Sequence, residues 1–141
     1  MYLLDTVLVS EMPKKSRDAN VVAWLSSAKS DALFISTITV FEIERGIAQK
    51  RRRDPAFADR LNRWCNDLVS SYGDRVLPLS ATGARLWGQL AARIGHKELD
   101  LAIAATALEH GLTVVTRNVA DFAPTGVKTL DPFRPARRIP T

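Results

Sequence analysis

The sequence predicts an α/β fold: a central parallel sheet of four to five strands with helices covering both faces. Three observations lead there. Short apolar runs recur along the chain, LFIS at 33–36 and LTVVT at 112–116 among them. Segments of helical pattern separate those runs, and such alternation implies parallel strands joined by helical crossovers. The chain has 141 residues, of which 46% are hydrophobic, which suits one domain with a substantial core.

The elements follow in order. YLL at 2–4, with Val7 to Val9, reads as a short buried strand and its exit, and Pro13, Lys14 and Lys15 mark a loop. Asp18 or Asn20 is placed to cap a helix reaching about Ala28, whose apolar side holds Val21, Val22, Trp24 and Leu25. LFIS at 33–36 is the second strand. A helical pattern runs from Thr39 to about Arg52, and Pro55 restarts a helix to about Ser71. VLPL at 76–79 is the third strand, and Ser80 caps a helix to about Ile94. Glu98 to His110 is an alanine-rich helix closed by Gly111, whose freedom at positive φ suits the residue after a helix end. LTVVT at 112–116 is the fourth strand, and VKTL at 127–130 is a candidate fifth. Trp24, Trp64 and Trp87 have apolar neighbours at helical spacing and are read as packing residues.

Composition narrows the function. A single cysteine, Cys65, permits no internal disulfide and suits a reducing compartment. No apolar stretch is long enough for a membrane span, and the N-terminus lacks a signal-peptide pattern, so a cytoplasmic protein is expected. The net charge of +5 favours a polyanionic partner, nucleic acid first. The cations are concentrated between Arg45 and Arg63, and Arg134, Arg137 and Arg138 follow Asp131 without an intervening acid. A solvated helix face and a free tail would explain the same charges. No phosphate-binding glycine loop occurs, and two histidines without metal spacing do not make a zinc site.

Ligands of open α/β sheets bind beyond the carboxyl ends of the strands. Four acids map there: Asp5 after the first strand, Glu42 after the second, Asp121 after the fourth, and Asp100 in the first turn of the alanine-rich helix. Each has a local alternative. Thr39 and Glu42 fit a capping box, Asp100 favours the positive end of its helix, and Asp121 is placed to cap a turn. Asp5 is hardest to explain that way, because a strand end offers no obvious backbone partner. Clustered carboxylates repel, and a hard divalent cation such as Mg²⁺ or Mn²⁺ resolves the conflict. A basic surface around an acidic, metal-holding pocket suits phosphodiester hydrolysis.

Four stretches, YLLDTVLVSE (2–11), ISTITVFEIERGI (35–47), LDLAIAATALEHGLTVVTRNVADF (99–122) and TGVKTLDPF (125–133), resemble the PIN-domain ribonucleases. The similarity is specifically to the toxin halves of VapBC-type and FitAB-type toxin–antitoxin pairs. The resemblance implies a three-layer α/β/α domain, taken over residues 1–133; the composition of residues 134–141 reads as a basic, Pro-rich, poorly ordered tail. The resemblance also implies a toxin that is an endoribonuclease dependent on Mg²⁺ or Mn²⁺. Asp5, Glu42 and Asp100 match the family's main metal-binding acids, and Asp121 matches a fourth, more variable one. Thr6 and Thr116 match hydroxyls bordering the pocket, and Asn118 stands where some members place another acid. Many members have Asn where this chain has Val7. A cognate antitoxin and a homodimer are implied as partners, with RNA as substrate and no membrane. Arg45, Lys50, Arg51 and Arg52 are candidate contacts for RNA or antitoxin. The rival expectations are a non-catalytic nucleic-acid-binding module and a small phosphatase; the latter would want a D-x-D pair, and Val7 occupies its second position.

Overall fold

A computed structural model describes residues 1–96 and 98–135. Five parallel strands form one sheet in the order β3-β2-β1-β4-β5, comprising β1 (Tyr2–Leu4), β2 (Leu33–Ser36), β3 (Val76–Leu77), β4 (Thr113–Val115) and β5 (Thr129–Leu130). Seven helices surround it among the described residues: α1 (Thr6–Val9), α2 (Ala19–Ser27), α3 (Thr37–Arg51), α4 (Pro55–Tyr72), α5 (Ala81–Ile94), α6 (Leu99–His110) and α7 (Val119–Phe122).

The layers follow from the alternation of side chains along the central strand. Leu3 and Leu4 are both fully buried but belong to opposite cores. Leu4 joins Ile35 and Val115 under α1 to α4, where Ile43, Ile47, Ala58 and Leu68 close the face. Leu3 joins Val114 under α5 to α7, with Leu90, Ile103, Ala104 and Phe122. β1, covered on both sides, is therefore apolar throughout. Asp5 stands at its carboxyl end. Burying Leu3 and Leu4 together contributes on the order of 3–6 kcal/mol before entropy is counted. Trp24 and Trp64 pack half-buried on the first core and Trp87 on the second, in keeping with the packing role read from their spacing.

Local chemistry sets the ends. Asp18 caps α2 by accepting from Asn20 N and Val21 N, and Ser80 caps α5 by accepting from Gly83 N. Gly111 closes α6 at φ 66, a conformation in which a Cβ would be strained.

Several boundaries differ from the sequence reading. Val7 to Val9 belong to a short helix rather than a strand exit, because Asp5 caps that helix and turns the chain immediately. Ser36, not Thr39, caps α3, its hydroxyl accepting from Thr39 N at 3.1 Å. Glu42 is consequently not the third residue of a capping box; it lies in the second turn. β3 is two residues long rather than four, since Pro78 has no N–H for the ladder. Of the tail expected to be disordered, residues 134–141, positions 136–141 lie outside the described residues. No described helix is long and apolar enough to cross a membrane.

Candidate active site

Asp5 is the first residue past β1 and is 2% exposed. Its backbone N–H still joins the sheet, donating to the Val115 carbonyl at 2.9 Å. Its carboxylate does have a backbone partner, contrary to the expectation from sequence: Thr6 N–H donates to Oδ1 at 2.8 Å. The other oxygen, Oδ2, accepts from the Thr116 hydroxyl at 2.7 Å. The register explains that bond. Leu4 pairs with Val115, so the next residues, Asp5 and Thr116, emerge side by side. Thr116 Oγ1 in turn accepts from Asn118 N at 2.9 Å, which fixes the turn leading into α7.

Glu42 is drawn to the same place from α3. The Thr6 hydroxyl donates to Glu42 Oε1 at 2.7 Å and lies 3.0 Å from Thr39 Oγ1. Thr6 thus links Asp5, through its backbone, to Glu42, through its side chain. Arg45, one turn on, stands 4.0 Å from Glu42 Oε2. Thr39 is fully buried and steadies Thr6; the sequence marked it only as a helix cap, and the signal overlooked was the run of hydroxyls at Ser36, Thr37 and Thr39.

The electrostatics tie in the remaining acids. Burial raises the Asp5 carboxyl to about 6, with the charges of Asp100 and Glu42 adding to the rise and the bonds from Thr116 and Thr6 opposing it. Asp100 is raised too, first by burial and then by Glu42, Asp121 and Glu98, while His96 opposes the rise. A helix N-terminus alone would lower an acid. Asp100 is raised instead, by burial and by its acidic neighbours. Asp121 sits exposed in α7, whose cap is Asn118, so it is not a capping acid. Asn118 reaches this network through its backbone N–H. Val7 is exposed on α1.

Hydrogen bonds therefore join Asp5 and Glu42 with Thr6, Thr39, Thr116 and the Asn118 backbone, while Asp100 acts on Asp5 through its charge, and Glu42 and Asp121 act on Asp100 in the same way. The donor set consists of carboxylate and hydroxyl oxygens, the chemistry a hard divalent cation prefers. Among the described residues no three or more His, Cys, Asp or Glu side chains are grouped so as to hold a metal ion by themselves. Mg²⁺ does not need such a group, because it is commonly held by one or two carboxylates with water and phosphate oxygens completing the shell. A buried acid raised by desolvation and by like charges is the side chain that a cation would relieve most, so the residues fit such an ion.

A groove of about 1080 Å³ opens beside Thr6 and Glu42, with Ile43, Phe57 and Trp64 among its lining and Lys14, Lys15, Arg17, Lys50 and Arg60 around it. Of the expected basic contacts, Lys50 and Arg52 are exposed and border a second depression with Arg53. Arg45 lies over the Phe41 ring, and Arg51 is engaged by Asp59 at 2.6 Å.

Comparison with known proteins agrees with this architecture. The PIN domain matches residues 2–125. "VapC ribonuclease Y4jK" of Sinorhizobium fredii is 33% identical, over 96% of this chain and all of that protein. "Toxin FitB" of Neisseria gonorrhoeae is 32% identical over 94% of this chain and 99% of its own length. The crystal structure of FitAcB from Neisseria gonorrhoeae superposes with a TM-score of 0.79 at 31% identity, covering 94% of this chain and 99% of that one. With match, identity and topology in agreement over nearly the whole length, this chain is a member of the PIN domain family.

Proposed function

We propose that this chain is the toxin of a VapBC/FitAB-type pair, an endoribonuclease that hydrolyses RNA phosphodiester bonds with Mg²⁺ or Mn²⁺ and is held inactive by a cognate antitoxin. The names of its relatives, "VapC ribonuclease" and "Toxin FitB", support the class. Structures of FitAB bound to a DNA fragment, and of FitAcB, support an antitoxin partner. A homodimer is part of the same proposal.

The observation that carries the metal-dependent reading is Asp5: a buried carboxylate, hydrogen-bonded on both oxygens and raised by the charges of Asp100 and Glu42. We assign Asp5, Glu42 and Asp100 as the main metal-holding residues and Asp121 as a further ligand or a water-orienting base. A divalent ion bound there would supply Lewis acidity and lower the pKa of a water for in-line attack on phosphorus. The protein residues prepare that chemistry. Thr6 N–H and Thr116 hydroxyl keep Asp5 ionised and fixed, and the Thr6 hydroxyl holds Glu42 in the same orientation. Arg45 and Lys50 border the pocket with positive charge for the RNA backbone.

Purified protein incubated with RNA and Mn²⁺ tests the reading, with Asp5→Asn as the control. Cleavage by the wild type alone is expected. Absence of cleavage, or equal cleavage by the variant, would turn the assignment toward a non-catalytic binding module.

A further inference from the structure

All five strands are parallel, so a helix that directly follows a strand starts on the same edge of the sheet. α3 starts there after β2, and its second turn carries both Phe41 and Glu42. The two side chains go different ways. Glu42 turns toward Thr6, whose hydroxyl donates to it at 2.7 Å. Phe41 faces solvent and is 52% exposed; among the described large hydrophobic side chains only Met1 is more so. The ring adds nothing to the fold's interior. Its neighbours Val40 and Ile38 pack against the first and second cores respectively, and Phe41 belongs to neither.

The exposed ring is not loose. Arg45, four residues on and so over the same face of α3, lays its guanidinium above it, 5.3 Å from the ring centre. The same guanidinium stands 4.0 Å from Glu42 Oε2, in a half-exposed pair that holds little energy. An open aromatic surface, a cation and a candidate metal-holding acid therefore lie within five consecutive residues.

We propose that Phe41 is a stacking platform for an unpaired base of the RNA next to the scissile phosphate, with Arg45 steadying the ring and contacting an adjoining phosphate; this rests on the nuclease reading. Single-stranded RNA is recognised by this combination, a base on an aromatic face and a phosphate on a cation. A base inside a duplex has its faces covered by its neighbours, so the platform selects RNA that is unpaired at the cut. Every base has a π-face, so it selects an open strand rather than a particular base. A protein partner fits the surface less well. The remaining exposed large apolar side chains among the described residues are Met1, Val7, Val22, Val69 and Leu108, and no two share an element. Along α3 the exposed neighbours of Phe41 are Thr37, Glu44, Arg45 and Ala48, which make no apolar stripe. The core of a protein interface is a contiguous apolar patch, whereas a base needs one ring.

The test is fluorescence anisotropy of a labelled single-stranded oligoribonucleotide and of its duplex, titrated with full-length protein in EDTA over a range of salt. Wild type is compared with Phe41→Leu and Phe41→Trp. Phe41 lies outside both cores, so both variants are expected to fold, which circular dichroism checks. Phe41→Leu is expected to bind the single strand about tenfold more weakly, with the log Kd–log salt slope unchanged because no charge is lost. Phe41→Trp restores wild-type affinity, and all three proteins bind the duplex alike. Unchanged single-strand affinity in Phe41→Leu, with the wild type binding and cleaving RNA in Mn²⁺, overturns the platform and leaves the nuclease standing. Equal weakening for the duplex, or no rescue by Trp, also overturns it. So does a change in oligomeric mass by light scattering in Phe41→Leu, which would assign the ring to a contact between copies of the chain. A wild type that neither binds nor cleaves RNA sinks both readings.

Discussion

The Thr116 hydroxyl donates to Asp5 Oδ2 at 2.7 Å across 111 positions of sequence, and Thr116 Oγ1 itself accepts from Asn118 N. One side chain thus fixes both the central acid and the turn carrying Asp121. Thr116→Val keeps the shape and removes the donor. It is expected to cost about 1–3 kcal/mol in urea unfolding, since a buried oxygen and an N–H each lose a partner. The bond favours ionised Asp5, so its loss raises that acid further and weakens Mn²⁺ binding at fixed neutral pH. Unaltered Mn²⁺ affinity in the variant would refute the role given to Thr116.

Asp5 also makes stability depend on pH. Its folded carboxyl is raised from 3.8 to about 6, so the folded chain holds this proton more tightly than the unfolded one. Stability of the metal-free protein accordingly falls as pH rises between those values, by about 3 kcal/mol in all, and stays reduced above them. Asp5→Asn removes the charge. In EDTA it is expected to exceed wild type in stability near neutral pH, with the difference vanishing below the unfolded-state value of 3.8. Urea melts at the two extremes decide it; a variant less stable at neutral pH would contradict the desolvation account.

Metal binding would reverse that penalty. Mn²⁺ at roughly 100 times its Kd is expected to stabilise the wild type by about 2.7 kcal/mol. Asp5→Asn and Asp100→Asn each lose most of the shift, and chelation abolishes RNA cleavage reversibly. Thermal melts with and without Mn²⁺ read this directly. Full shifts in both variants would place the ion elsewhere.

Ser80 provides a control away from the pocket. Its hydroxyl lies 2.6 and 2.8 Å from the Glu109 carboxylate oxygens and accepts from Gly83 N at 3.0 Å, joining the start of α5 to the end of α6. Ser80→Ala is expected to destabilise by about 1–3 kcal/mol through the lost cap and the unpartnered carboxylate. Glu109 lies at the opposite end of α6 from Asp100, so RNA cleavage below the melting temperature is expected to persist. Loss of cleavage in a folded Ser80→Ala protein would show that the α5–α6 seam positions Asp100.

By itself, the sequence determined the class of fold and singled out four acids as candidates for one edge of the sheet. Apolar runs such as LFIS had to be covered on both faces, and the rule for parallel sheets sent Asp5, Glu42 and Asp121 to one edge. Periodicity carries no register, however, and it is register that makes the site. Pairing Leu4 with Val115 brings Thr116 to Asp5, and Ser36 capping α3 turns Glu42 and Thr39 toward Thr6. Capping was misread at Thr39 because several hydroxyls compete there, and only packing chooses between them. The apparent isolation of Asp5 was a one-dimensional impression: the helix beginning at Thr6 gives it an N–H, and a strand from the far end of the chain gives it a hydroxyl. Only the tertiary structure set the burial that raises this carboxyl and the neighbouring charges that raise it further, because desolvation and Coulomb energy depend on distance in space and not on position in the chain.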